Sequence, residues 1–253
     1  MSRAATLLFA LVAYAIFFAT FLYLICFVGD LPFAPLTVDR GPDAPVGIAL
    51  LINIAMIATF GLQHSVMARQ DFKRRWTQIV PPAAERSVYV LVASLILITL
   101  FLLWRPIEGV VWDARGTALE LPLWVAFAAG WGIVLLSTFL LNHFELFGLQ
   151  QAWLHMRGQQ AKPTELRQPL FYKWVAHPLY SGFFLAFWAT PRMTYGHLLL
   201  AAGMSVYMLI AIRYEERDLV GHYGDDYVRY RSGVGMLVPR LRRRSDAPPP
   251  VTG

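Results

Sequence analysis

Five apolar runs, at residues 5–28, 46–67, 87–104, 121–141 and 194–212, each come close to the ~20 residues that cross the hydrocarbon of a bilayer. Inside lipid every backbone amide must find its partner within the chain, so runs of this length become helices. Only 15% of the 253 residues are charged, where a soluble chain carries about a quarter. The expected fold is therefore all-α, a polytopic transmembrane helix bundle. A sixth run, 179–190, is too short for a full straight crossing and reads as a tilted or partly re-entrant span, with Pro191 and Thr194 turning the chain into the last long one. The expected organisation is one membrane domain over 1–240. It has four spans in 1–141, a connector over 142–176, and over 177–240 a hairpin followed by an amphipathic C-terminal helix. Residues 241–253, basic and rich in proline, read as a disordered tail.

Lys and Arg orient such a bundle, because loops on the cytoplasmic side carry their excess. Loop 30–45 holds Arg40 against Asp30, Asp39 and Asp43, and loop 105–120 holds two arginines against three acids. Loop 68–86 carries Arg69, Lys73, Arg74, Arg75 and Arg86, and connector 142–176 carries Arg157, Lys162, Arg167 and Lys173. The first pair reads as outside and the second as cytoplasmic. Both termini then lie on the cytoplasmic side of a bacterial inner (plasma) membrane, and the even number of crossings supports counting the short run as a span. The net charge of +6 is thus a topology signal with some attraction to membrane lipid. A nucleic-acid partner would need a basic soluble face, and the sequence offers none. Cys26 stands alone inside the first span, which excludes a disulfide framework and a catalytic thiol pair; its plain reading is a small apolar filler.

Polar residues bracket the last hairpin. Pro178 fits the first turn of a helix, where its missing N–H costs nothing, and this leaves His177 at the cap with free amides beyond it. Such a helix start attracts an anion. Tyr180 follows within the first turn, and Gly182 with Ala186 forms a small-xxx-small pair that lets another backbone approach. At the far foot, Glu215 and Glu216 point about 100° apart between Arg213 and Arg217, so one can pair with an arginine while the other faces a ligand amine or ribose hydroxyls. Beyond them a stretch over 219–230 carries Tyr223, Tyr227 and Tyr230, with Arg231 next; it can lie among headgroups or close over an aromatic ligand. Taken singly, each foot also reads as a capped helix or a solvated helix end. Together they surround a zwitterion.

The order His-Pro-x-Tyr-x-Gly, hairpin, Glu-Glu-Arg and Tyr-rich helix resembles the isoprenylcysteine carboxyl methyltransferase superfamily of membrane proteins. Within it the chain is most similar to the methanethiol S-methyltransferase family, which makes dimethyl sulfide. The blocks that carry this resemblance are Gly61-Leu62-Gln63-His64-Ser65-Val66-Met67-Ala68-Arg69, Trp104-Arg105-Pro106-Ile107, residues 137–149 and residues 187–197. The resemblance implies S-adenosylmethionine as cofactor, S-adenosylhomocysteine as its product, no metal, and a small thiol as acceptor. It implies cofactor contacts at Tyr172, Lys173, His177, Pro178, Tyr180, Gly182, Arg213, Glu215, Glu216, Tyr227, Tyr230 and Arg231. One departure is Ala176, where the family usually has Arg; Lys173, one turn earlier, is the expected replacement.

A thiol is a weak nucleophile until it loses its proton, so a base is needed in a dry pocket. In span two, Asn53, Gly61 and His64 fall on one helical stripe, and Asn142, His143 and Glu145 follow span four at the same level. His64 or His143 is the expected base, oriented by Asn142 or Glu145; the plain alternative for each is a structural hydrogen bond. Neither has a second ligand at metal spacing. Two other readings stand beside the thiol methyltransferase. One keeps the cofactor and takes an isoprenylcysteine carboxylate or a phospholipid amine as acceptor. The other is a non-catalytic membrane scaffold that keeps its polar feet for helix packing.

Overall fold

A computed structural model of the chain describes residues 2–160 and 169–240, so the expected tail at 241–253 lies outside the described residues. The long apolar runs all form helices: α1 (Arg3–Val28), α2 (Val46–Ala68), α4 (Pro82–Leu103), α5 (Glu120–Leu141) and α9 (Tyr195–Tyr223). Each is long and apolar enough to cross a membrane, and the protein is an integral membrane protein. Between α2 and α4 lies α3 (Gln70–Trp76), carrying Lys73, Arg74 and Arg75 in its last turn. Two short helices, α6 (His143–Leu146) and α7 (Leu149–Arg157), follow α5, and a 3-10 turn (Leu170–Lys173) leads to the short α8 (Pro178–Trp188). Helix α10 (Asp225–Gly233) ends the fold.

Packing follows the small residues. Helix α1 lies on α4 and α7, and α2 on α4 and α9, around a core that includes Phe27, Leu100, Phe101, Trp104 and Phe187. The tightest contact joins α5 to α8. A Cβ added to Gly130 would sit 2.6 Å from the Ala186 amide nitrogen, and one added to Gly182 would sit 2.7 Å from the Gly130 carbonyl oxygen. The Gly182–Ala186 pair therefore serves helix packing, with dispersion between touching backbones holding the two helices together.

With eleven residues, α8 is too short to cross alone, and extended chain completes its passage. Strand β2 (Arg192–Thr194) pairs antiparallel with β1 (Val110–Asp113), matching Asp113 to Arg192 and Val110 to Thr194. Trp112 Nε1 donates to the Thr190 carbonyl at 3.0 Å and the Ala114 amide to that of Pro191 at 2.8 Å, so the non-helical backbone is satisfied inside protein. Pattern reading expects a simple turn here; a three-residue strand carries no periodicity to reveal it. The turn is tied to loop 29–45 through Asp39, which accepts from Thr194 Oγ1 at 2.5 Å and pairs with Arg192 at 3.3 Å. Burial pushes the Asp39 carboxyl up.

The other end differs from expectation in one respect. Helix α9 runs on past the glutamates to Tyr223, and Gly224, at φ +57°, breaks it before α10 begins. The expected amphipathic stretch 219–230 is thus split between two helices. After α10 the chain returns along the foot of α8. The amides of Ala176 and His177 donate to Gly235 O (2.7 Å) and Met236 O (3.1 Å), and Ser181 Oγ donates to Leu237 O (2.7 Å).

Candidate active site

A cavity of about 1540 Å³ opens at the end of the bundle where α2 and α5 finish and α4 and α8 begin. It brings together ten of the residues expected from sequence: His64, Asn142, His143, Glu145, Tyr172, His177, Tyr180, Glu215, Tyr227 and Tyr230. Lys173, Pro178, Gly182, Arg213, Glu216 and Arg231 are not part of its lining. For Gly182 the reason is its contact with α5. Pro178 is buried at the first position of α8, where its ring starts the helix. Arg213 and Lys173 are exposed.

The adjacent glutamates divide as their 100° offset requires. Glu216 is buried: its Oε1 forms an ion pair with Arg231 Nε at 2.7 Å and lies 3.4 Å from His177 Nε2. Three elements meet at one carboxylate oxygen, namely the cap of α8, the body of α9 and α10. The arginine partner comes from α10, whereas sequence proximity pointed to Arg213 or Arg217; Arg217 packs by Tyr214 instead. Glu215 faces the cavity, whose lining it shares with Tyr180. Tyr230 Oη donates to the Tyr172 carbonyl at 2.8 Å, closing α10 over the 3-10 turn. Burial raises the phenols of Tyr172 and Tyr227, and that of Tyr230 to about 12, so all three remain protonated donors. Tyr227 Oη is buried with no hydrogen-bond partner.

The two candidate bases have opposite surroundings. His143 is 4% exposed and uses both ring nitrogens, Nε2 with Tyr14 Oη and Nδ1 with Thr138 Oγ1, each at 2.8 Å. Because the Thr138 hydroxyl gives its proton to the Leu135 carbonyl at 2.7 Å, it accepts from Nδ1–H, and Nε2 is left to accept from Tyr14. The ring also stacks on Phe139, centroids 4.2 Å apart, and burial pushes its pKa down. Asn142 and Glu145 do not orient it: Asn142 Nδ2 donates to Glu145 Oε2 at 2.9 Å and Gln150 Oε1 at 2.6 Å. His64 sits among the rings of Phe60, Tyr89 and Tyr207, with centroids at 5.2, 4.9 and 6.1 Å. Its Nδ1 is buried without a partner. Arg86 lies over Tyr89 at 5.7 Å, and Lys73 joins it in the lining, its pKa lowered by burial and then by Arg86.

Tyr14, Thr138, Phe60, Tyr89, Tyr207 and Arg86 are not among the site residues expected from sequence. Aromatic residues in an apolar span carry no signal that separates a site from a core, and Tyr14 stands 129 positions from the histidine it holds. Among the described residues no three His, Cys, Asp or Glu side chains group as metal ligands would.

Five membrane helices around a deep cavity that contains an unpartnered imidazole nitrogen define a polytopic membrane protein with a large cavity at one end of its bundle. Neither a protein-family model nor a solved structure matches the chain. It is 48% identical over 245 residues to a methanethiol S-methyltransferase of Mycobacterium tuberculosis, covering 97% of this chain and 100% of that protein. It is 49% identical to methanethiol S-methyltransferase 1 of Bradyrhizobium diazoefficiens, covering 93% and 82%, and 42% identical to a methanethiol S-methyltransferase of Crocosphaera subtropica, covering 97% and 96%. The chain belongs to the methanethiol S-methyltransferase family.

Proposed function

We propose that the protein transfers a methyl group from S-adenosylmethionine to methanethiol, giving dimethyl sulfide, at the cytoplasmic face of a bacterial inner membrane with both termini inside. One observation carries the reading. Of the buried side-chain polar atoms without a hydrogen-bond partner among the described residues, two line the cavity, His64 Nδ1 and Tyr227 Oη. A buried polar atom without a partner costs stability, so its retention in a cavity marks a place for a ligand. Arg69, Lys73, Arg74, Arg75 and Arg86 in and beside α3, against Arg40 in the loop after α1 and Arg105 and Arg115 in the loop after α4, support the orientation.

The cofactor site runs across the hairpin feet. The first-turn amides of α8 and His177 favour a carboxylate, Glu215 takes an amine or ribose hydroxyls, and the free Tyr227 hydroxyl donates the remaining bond. S-adenosylmethionine, when bound, supplies a methyl carbon made electrophilic by its sulfonium. His64 Nδ1 takes the proton of the thiol, which leaves sulfur with the electron pair that forms the new carbon–sulfur bond. Phe60, Tyr89 and Tyr207 keep water away from that proton transfer, and Arg86 beside them favours an anionic sulfur.

Purified protein given labelled S-adenosylmethionine is tested in parallel with methanethiol, a prenylcysteine and phosphatidylethanolamine. The expected outcome is labelled dimethyl sulfide in the headspace. Calorimetric titration should show cofactor binding by both the wild type and His64→Ala, with turnover lost in the variant. Absence of cofactor binding would leave the scaffold reading, and label in the prenylcysteine or the phospholipid alone would change the acceptor.

A further inference from the structure

The cavity is larger than its two proposed occupants require. Small-molecule sites hold roughly 300–1,000 Å³, and this one exceeds that range although methanethiol has a single carbon and a sulfur. The surplus lies in one direction. On α4 the lining runs from Arg86 to Leu97 and on α9 from Glu215 back to Met204, eleven steps in each case, which is about 16 Å of helix. The charged and titratable lining residues gather at the mouth. The deep part is formed by Phe21, Leu24, Ala93, Leu97, Met204 and Phe187. Two hydroxyls reach this depth, Thr20 and Ser94, and both are bonded to their own helices, to Ile16 O at 2.7 Å and Val90 O at 2.8 Å, which leaves carbon surface facing the space. An apolar space of this kind stays dry and takes an apolar guest.

One side wall lies where α1 passes α5 and α6. Helix α1 meets α5 through the edge contact of Phe21 with Trp131 (centroids 5.5 Å apart) and α6 through the bond from Tyr14 to His143. Between these levels Phe18 and Leu135 line the cavity and keep 41% and 39% of their surface accessible.

We infer that the deep compartment is a subsite for the hydrocarbon chain of hydrophobic thiols, so that the acceptors extend from methanethiol to long-chain alkanethiols. This rests on the methyl-transfer reading given above. The sulfur sits at His64 beside the cofactor, and the chain runs inward along α4 and α9. The bond changes are those of methanethiol: the S–H proton goes to His64, the sulfur–methyl bond forms, and the donor sulfur keeps the electron pair of the broken bond.

The test is a series from methanethiol through ethane-, butane- and octanethiol, assayed with labelled S-adenosylmethionine on the full-length protein in one micelle preparation. A pocket shaped for methanethiol alone loses roughly 10–200-fold for each added methylene. The expected result is that kcat/KM for butane- and octanethiol stays above about one tenth of the methanethiol value. A fall below that level while methanethiol is turned over overturns the subsite and leaves the small-thiol reading intact. Failure of every thiol overturns the methyl-transfer reading instead. Two variants, Leu97→Trp and Met204→Trp, fill the deep end. Either should lower octanethiol turnover by about tenfold or more relative to methanethiol. An unchanged ratio in a folded variant counts against the assignment.

Discussion

Glu216 and the Arg231 guanidinium form an ion pair at 2.7 Å, and this one pair links α10 to α9 while the neighbouring Glu215 is left facing the cavity. Two acids adjacent in sequence therefore have separable roles. Arg231 is half exposed, so the bond is weaker than a fully buried pair. Replacing Glu216 by Gln should destabilise the fold by about 1–2 kcal/mol, a fall of roughly 2–8 °C in Tm for a chain of this size. Glu215→Gln should leave the melting temperature unchanged and weaken cofactor binding about tenfold. Thermal unfolding and calorimetric titration of the two variants read these effects separately, and equal behaviour of the pair would contradict the division.

A base acting on the thiol proton matters only while that proton is present. Selenols ionise at much lower pH than thiols, so at neutral pH a selenol needs no base. His64→Ala should reduce methanethiol turnover by roughly 10²–10⁴-fold and spare methaneselenol turnover by comparison. Parallel loss with both acceptors would assign His64 to positioning.

His143, with both nitrogens bonded, is expected to act on stability and not on chemistry. Removing it leaves Tyr14 Oη without a partner, at a cost of about 1–3 kcal/mol. His143→Phe should melt earlier yet keep its turnover per folded molecule. The pH dependence has a definite sign. Burial lowers the pKa of His143 in the folded protein, so the unfolded chain takes up the proton first. The neutral ring's contribution is complete above roughly pH 6.5 and is lost as the pH falls below it. Melting temperatures measured from pH 7.5 down to pH 5 should therefore converge for wild type and His143→Phe.

The α5–α8 contact leaves no room for a methyl group. Gly130→Ala places its Cβ 2.6 Å from a backbone nitrogen of α8, and overpacking of this kind costs about 1–3 kcal/mol. Because α8 carries His177 and Tyr180 to the cavity, loss of cofactor affinity should accompany the fall in stability. Gly132→Ala, where an added Cβ meets nothing within 4 Å, is the matched control and should behave as wild type.

Much of the architecture was legible from residue order. The length of each apolar run determined five membrane helices, because a backbone in lipid has no other way to satisfy its amides. His177, Pro178 and the paired glutamates marked the hairpin feet for the same local reason: polar groups at the ends of apolar helices need partners. Tertiary structure alone decided which partners they found. Glu216 took an arginine from another helix, Tyr14 and Thr138 closed both nitrogens of His143, and His64, the equal of His143 in the sequence, kept Nδ1 free inside a ring of aromatic side chains. Hydrophobic length is a property of one segment and can be read from it. Whether a hydrogen-bonding atom is spent or available depends on what the rest of the chain brings within about 3 Å of it.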